Sequence, residues 1–244
     1  MPTDPELTLR RAEPEDAEAL ADLYSAARVA AVPQMPPALH TNAEDRQWMA
    51  GQLARVDHEG WLAEHDGRVI GYALITPTWL DHLFVHPEHL GSGTGAVLLD
   101  LVKSLRPDGF ALWVFESNEG ARRFYARHGL VELERTDGSG NEERAPDVRM
   151  AWPGAEPLRF YRGLIDEVDE QLGDLLARRV ALTRAVQRIK HDTSRDAGRE
   201  REIAAALARR APELGEERLA RIVHTIITES LEAAREGGVG AHGG

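Results

Sequence analysis

The sequence predicts a multidomain fold: an α/β domain built on a mixed sheet, then an all-α domain of three helices. Three observations carry that expectation. Short segments of alternating strand and helix character run to about residue 153. There Trp152-Pro153-Gly154-Ala155-Glu156-Pro157 interrupts them with Pro and Gly. Beyond it no segment reads as a strand, and apolar residues recur at helical spacing over roughly nine turns. The expected boundaries are 1–153 for the first domain, 154–157 for a linker, 158–236 for the helical domain and 237–244 for a disordered tail.

Composition agrees with two cores. The chain has 244 residues, 42% hydrophobic and 29% charged, which suits two ordinary domains and excludes general disorder. It has no Cys, which excludes disulfides, thiolate nucleophiles and Cys-ligated zinc. Neither a signal-peptide apolar run at the start nor a membrane-length apolar stretch is present, so a cytoplasmic protein without membrane contact is expected. The net charge of −12 is uneven. Residues 155–244 hold 15 Lys and Arg against 16 Asp and Glu, leaving 14 against 25 before them. An acidic first half argues against nucleic acid and mildly favours a cationic substrate. Lys occurs only at Lys103 and Lys190 in a chain otherwise basic through Arg.

The elements follow in order. Leu7 and Leu9 mark a strand, and Ala17, Leu20, Ala21 and Tyr24 recur at helical spacing after Pro14. Asn42 is expected to cap a second helix through Trp48 and Leu53, with Asp45 at its third position. Residues 61–64 and 69–76 read as a hairpin about His65-Asp66-Gly67, and 79–85 as another strand. Residues 91–104 read as a helix, 110–115 as a strand and 118–128 as a helix stopped by Gly129. Two strands, 131–135 and 147–152, flank a polar loop, and Pro157 suits a first helical turn. Helices are expected over 158–191, 199–211 and 216–235.

The segment Val85-His86-Pro87-Glu88-His89-Leu90-Gly91-Ser92-Gly93-Thr94-Gly95 follows a strand and opens a helix. Alternate glycines let the backbone bend with its N–H groups inward, and the helix dipole behind them suits a pyrophosphate. No Gly-Lys-Ser/Thr follows, so this is not a P-loop, nor is it a dinucleotide fingerprint.

Leu90 to Gly95, in the order strand, turn, helix, resembles the acetyl-CoA motif Gln/Arg-x-x-Gly-x-Gly/Ala of the GNAT acetyltransferase superfamily. Asn118, Ala121 and Tyr125, followed by Gly129, fall where that family has Asn-x-x-Ala-x-x-x-Tyr. The resemblance covers about residues 5–152 and departs at Leu90, where Gln or Arg is usual. It implies that Val85, Leu90, Gly91, Ser92, Gly93, Thr94 and Gly95 hold the pantetheine and pyrophosphate of acetyl-CoA, and that Asn118 contacts them. Tyr125 would then protonate the departing thiolate as a neutral amine attacks the thioester. Asp81, His82, Glu116 or a water could take the amine proton, and the amine itself is not specified. His82, His86 and His89 do not point to a metal: positions four apart on a strand lie about 13 Å apart.

In the helical half Leu158, Tyr161, Ile165, Val168, Leu172, Leu175, Leu182, Val186 and Ile189 form one apolar series, and Arg179 occupies a position in it. Lys190, 11 residues on, projects from nearly the same face. Two aligned cations on an apolar stripe read as an anion site. A helix of about 50 Å is longer than a compact monomer of this size tolerates, so a homodimer through the long helix is expected. Arg162 lies about 25 Å from Arg179 along the axis, too far for one chain to bring both to one small ligand.

These features resemble the all-helical chorismate mutase family over residues 158–236. The match runs through Leu158-Arg159-Phe160-Tyr161-Arg162-Gly163-Leu164-Ile165-Asp166-Glu167-Val168-Asp169, Arg178-Arg179, Lys190, Arg195-Asp196-Ala197-Gly198-Arg199-Glu200 and Ile226-Ile227-Thr228-Glu229-Ser230. The resemblance implies an intertwined dimer that rearranges chorismate to prephenate without a cofactor. Arg179 and the other chain's Arg162 would grip the two carboxylates, and Lys190 would donate to the ether oxygen. Glu200 would receive the ring hydroxyl beside Asp196, with Arg199 and Ser230 in support. One position departs: Ala234 stands where the family places Gln or Glu as the second donor to that oxygen. The expected function is a bifunctional N-acetyltransferase and chorismate mutase. Its alternatives are an acetyltransferase whose helical domain is a non-catalytic dimerisation or metabolite-sensing module, or an isochorismate-pyruvate lyase.

Overall fold

Strands β1 (Thr8–Arg11), β2 (Glu59–His65), β3 (Arg68–Ile75) and β4 (Leu80–Val85) pair in that order, each antiparallel to the next. Strands β5 (Phe110–Phe115), β6 (Val131–Thr136) and β7 (Asp147–Trp152) form a second antiparallel group in the order β5-β7-β6. These come from a computed structural model describing residues 7–190 and 196–239, with the side chains of Lys190 and residues 236–239 outside the description. The β2–β3 hairpin turns through Asp66 and Gly67, both at positive φ (50° and 71°), the pairing that two-residue hairpins favour.

Helices cover both faces of the sheet. α1 (Ala17–Ala30) and α2 (Asn42–Leu53) pack Leu20, Ala21, Leu23 and Met49 onto Leu62, Tyr72 and Leu74. α3 (Thr94–Leu105) and α4 (Glu119–Arg127) pack Leu98, Leu99, Val102 and Tyr125 onto Ala73, Ile75, Phe110, Leu112 and Met150. Gly71 permits the approach of α3: a Cβ there would lie 3.0 Å from Thr94 Cγ2 and 3.1 Å from Leu98 Cδ1. Lys103 donates from Nζ to the His128 carbonyl (2.6 Å) just past α4, so this rare lysine closes a helix C-terminus.

Two helix starts differ from the sequence reading. α2 is capped by Thr41, not Asn42: Thr41 and Glu44 make a reciprocal capping box, while Asn42 Nδ2 donates to Asp22 and Ser25 on α1. α3 begins at Thr94 rather than Gly91, because Gly91 (φ 82°) and Gly93 (φ 92°) take left-handed backbone that a helix cannot contain.

The chain divides by its contacts into Met1–Arg162 and Gly163–Gly244. α5 (Pro157–Lys190) begins in the first unit, where Phe160 lies over Gly109 so closely that a Cβ would collide. The second unit holds the rest of α5, α6 (Ala197–Arg210) and α7 (Gly215–Val239), where α6 and α7 bury Ala204, Leu219, Val223 and Ala234. α7 runs past the expected start of the tail at 237. Gly237 and Gly238 weaken a helix by about 1 kcal/mol each without themselves ending it. Residues 240–244 lie outside the described ones. No described helix is long and apolar enough to cross a membrane.

Candidate active sites

Among the described residues the two strand groups join through a single parallel bridge, Trp79 to Ala111, and β4 and β5 form no ladder beyond it. β4 therefore has one free edge. His86 N–H donates to Ile70 on the β3 side (2.8 Å), so by alternation Leu83 and Val85 turn their backbone groups toward the opening. Two cavities fill it, at the carboxyl ends of parallel neighbours where α/β sheets commonly bind ligands.

The first, about 590 Å³, is lined by Leu83, Val85, Leu90, Gly91, Gly93, Gly95 and the α4 residues Ala121, Phe124 and Tyr125. The Leu90 and Ser92 N–H groups bond back to Pro87 and His89 (3.3 Å each) within the turn, and neither Ser92 nor Thr94 lines the cavity. By contrast, the N–H groups of Gly91, Gly93 and Gly95 have no acceptor among the described residues. Added Cβ atoms at Gly91 and Gly93 would meet open space. Three unanswered donors at a helix start beside a free strand edge fit a pyrophosphate with an amide-bearing arm. Leu90 is exposed and adds no polar group, so the usual Gln or Arg is not replaced in function.

The second cavity, about 760 Å³, shares Met35, Leu83, Phe84, Asn118, Ala121 and Tyr125 with the first. Asn118 caps α4 by accepting from Ala121 N–H (3.1 Å), which leaves its amide nitrogen for a ligand. Tyr125 is 8% exposed, and burial raises its hydroxyl pKa far above the usual value, so the group is protonated. Its hydroxyl has no hydrogen-bond partner among the described residues, and Tyr125 lines both cavities.

Of the three candidate bases, Glu116 is ion-paired with Arg135 (2.6 Å) and lines neither cavity. His82 stacks between Tyr24 (5.2 Å) and Trp48 (5.0 Å), with Nδ1 2.8 Å from the Tyr72 hydroxyl. Burial, helped by the Arg28 charge, pushes its pKa down to about 3, too low to accept a proton from an amine near neutrality. Asp81 is exposed at the edge of the larger cavity. The strand-spacing argument does not extend to His89, which folds back to a ring distance of 6.2 Å from His86. Among the described residues no group of three metal-capable side chains comes together.

The model of the acetyltransferase (GNAT) family matches residues 18–130. An N-acetyltransferase of Archaeoglobus fulgidus is 30% identical over 152 residues, 56% of this chain and 100% of that relative. The chain belongs to the GNAT acetyltransferase family. An N-acetyltransferase of Mycobacterium tuberculosis is 36% identical over 77 residues, 28% of this chain; the chain spans about half (49%) of that relative's length. A GCN5-related N-acetyltransferase structure from Rhodopseudomonas palustris shares the fold, with TM-score 0.52 and 23% identity over 62% of this chain and 98% of its own. The chorismate mutase type II model matches residues 161–235, so the GNAT domain is followed by a chorismate mutase domain.

In the mutase domain of this GNAT protein, Arg179 donates to the Ile226 carbonyl (3.3 Å) and Ser230 to the same oxygen (2.6 Å). Ser230 is buried, as is Ala234 one turn on. Glu200 comes within 3.8 Å of His224 Nδ1. Asp196 caps α6 by accepting from Arg199 N–H (2.9 Å), the ordinary work of a helix-start aspartate. Arg199 is exposed and pairs with Glu202 (3.3 Å), so its guanidinium is not among the residues brought together. Arg162 is exposed on α5. The Lys190 side chain and Arg195 lie outside the described residues.

Sequence reading missed Arg28. It is 4% exposed, donates to Glu143 Oε1 from both terminal nitrogens (3.1 Å each) and to Pro36 O (3.1 Å), and so ties α1 to the β6–β7 loop on the wall of the larger cavity. The signal was present: Arg28 continues the series Leu20, Tyr24 of α1, as Arg179 does on α5.

Proposed function

We propose that the first domain, taken as residues 1–153, transfers an acetyl group from acetyl-CoA to an amine. That Tyr125 lines both cavities carries this reading. Acetyl-CoA supplies the activated thioester. Gly91, Gly93 and Gly95 N–H groups and the α3 dipole hold its pyrophosphate, and the Leu83 and Val85 edge holds the pantetheine arm. The neutral amine enters through the larger cavity; the N–C bond forms as the C–S bond breaks. The amine proton leaves to water there, and Tyr125 donates its hydroxyl hydrogen toward the sulfur as charge develops. Calorimetric binding of acetyl-CoA and release of free thiol with an amine panel test it; no acetyl-CoA binding overturns it.

The helical domain, taken as 158–236, we read as a chorismate mutase acting as a homodimer. Ile165, Val168, Leu172, Leu175, Leu182, Val186 and Ile189 of α5 are each 47–80% exposed. Burying such a side chain contributes about 1.5–3 kcal/mol, so the stripe favours a second copy strongly. Arg162 of the partner then meets Arg179, and the two, with Lys190, hold the dianion in its reactive conformer. Mixing Arg162→Ala with Arg179→Ala chains tests the assembly, because only a mixed dimer contains one intact site. Recovery of about a quarter of the wild-type rate is expected; no recovery overturns the crossed arrangement.

One observation favours a second reading, that this domain binds a chorismate-like metabolite without converting it. Ala234, buried beside Ser230, has no donor to offer the ether oxygen. Chorismate binding without prephenate, or pyruvate released from isochorismate, would select that reading or the lyase over the mutase.

A further inference from the structure

Helix α2 carries a buried acid that accepts no hydrogen bond from any described residue. Asp45 is 9% exposed, and its carboxylate makes no hydrogen bond or ion pair among the described residues. It lines a cavity of about 520 Å³ together with Trp48, Tyr24 and His82. The other acids there are committed: Glu44 to Thr41 (2.8 Å), and Glu142 to His40 (3.0 Å). Arg28, the other nearby cation, is held by Glu143 (3.1 Å). Burial raises the Asp45 carboxyl pKa by more than the charges of His40 and Arg28 lower it, so those two cations leave much of its desolvation uncompensated.

Tyr24 and His82 also line the 760 Å³ cavity, so the Asp45 space adjoins the one where Tyr125 stands. Tyr125 and Asn118 line the latter and not the former. Asp45 is therefore placed for a group at the far end of the acceptor, not for the reacting nitrogen. A buried carboxylate beside aromatic rings suits a cation, and a neutral His82 adds no competing charge.

We propose that the acceptor is an elongated dication: a primary amine at one end reacts beside Tyr125, and an ammonium or guanidinium at the other is held by Asp45 beside Trp48 and Tyr24. This rests on the acetyltransferase reading for its reaction but not for its binding. Calorimetry on the full chain with CoA present is expected to show the α,ω-diamine of pentane binding at least about tenfold more tightly than pentylamine. The isosteric variant Asp45→Asn should bring that ratio close to one, and aminobutylguanidine should follow the diamine. Equal affinity for diamine and pentylamine in the wild type overturns the proposal, as does a preference that persists in Asp45→Asn. If the diamine binds with this preference but no acetyl transfer follows, the acetyltransferase reading fails and the cation site stands. If Asp45→Asn does not fold, the wild-type comparison decides alone.

Discussion

Arg179 and Ser230 meet on one atom: both donate to the Ile226 carbonyl, at 3.3 and 2.6 Å, from different helices. A cation from an apolar stripe and a buried hydroxyl are thus held on one side of the α5–α7 seam. Ala234 lies one turn further along α7, on the same face as Ser230.

Ala234→Gln is expected to raise prephenate formation at least about tenfold, since a placed donor to a developing oxyanion is worth about 10²–10³. It should also cost about 1–3 kcal/mol, because a larger side chain enters a buried position. Chorismate absorbance and urea unfolding measure the two effects. A destabilised variant with an unchanged rate would remove the missing-donor argument.

Tyr125→Phe keeps the ring that packs against Phe124 (5.3 Å) and removes only the hydroxyl. Thiol release should fall about 10²-fold in kcat, with little change in the KM for acetyl-CoA. A rise in KM at constant kcat would make Tyr125 a binding residue instead.

The Arg28–Glu143 pair should show strong coupling. Glu143→Gln leaves the buried Arg28 charge unpaired and is expected to cost about 3–5 kcal/mol. Arg28→Met leaves the half-buried Glu143 and should cost less, and both together should cost less than the sum. Denaturant melts of the four chains measure it. Strict additivity would mean that the pair does not join α1 to the β6–β7 loop energetically.

His82 is neutral in the folded chain down to about pH 3, whereas the unfolded side chain protonates near 6.5. Between those values the unfolded state binds more protons, so stability falls as pH drops below 6.5. His40, held above its ordinary value by Glu142, acts in the opposite sense. The readout is therefore the difference between wild type and His82→Asn, whose stability should decline less between pH 6.5 and 4.5. Equal slopes would place His82 in water.

Local rules made most of the architecture legible: the Asp66-Gly67 hairpin, the glycine turn before α3, the helix stopped by Gly129 and the long apolar series of α5 all follow from backbone sterics and periodicity. They misplaced the starts of α2 and α3, where a competing cap and two left-handed glycines decided the first turn. The split between β4 and β5, which makes the cleft, is a relation between strands 30 residues apart that no local pattern encodes. Burial likewise emerges only when elements pack. It turned His82 from a candidate base into a neutral wall, left Asp45 without a partner and joined Arg28 to Glu143 across 115 positions. Sequence alone determined which residues carry charge and how each helix faces; the folded chain decided which of those charges are answered, because desolvation and pairing depend on neighbours distant in sequence.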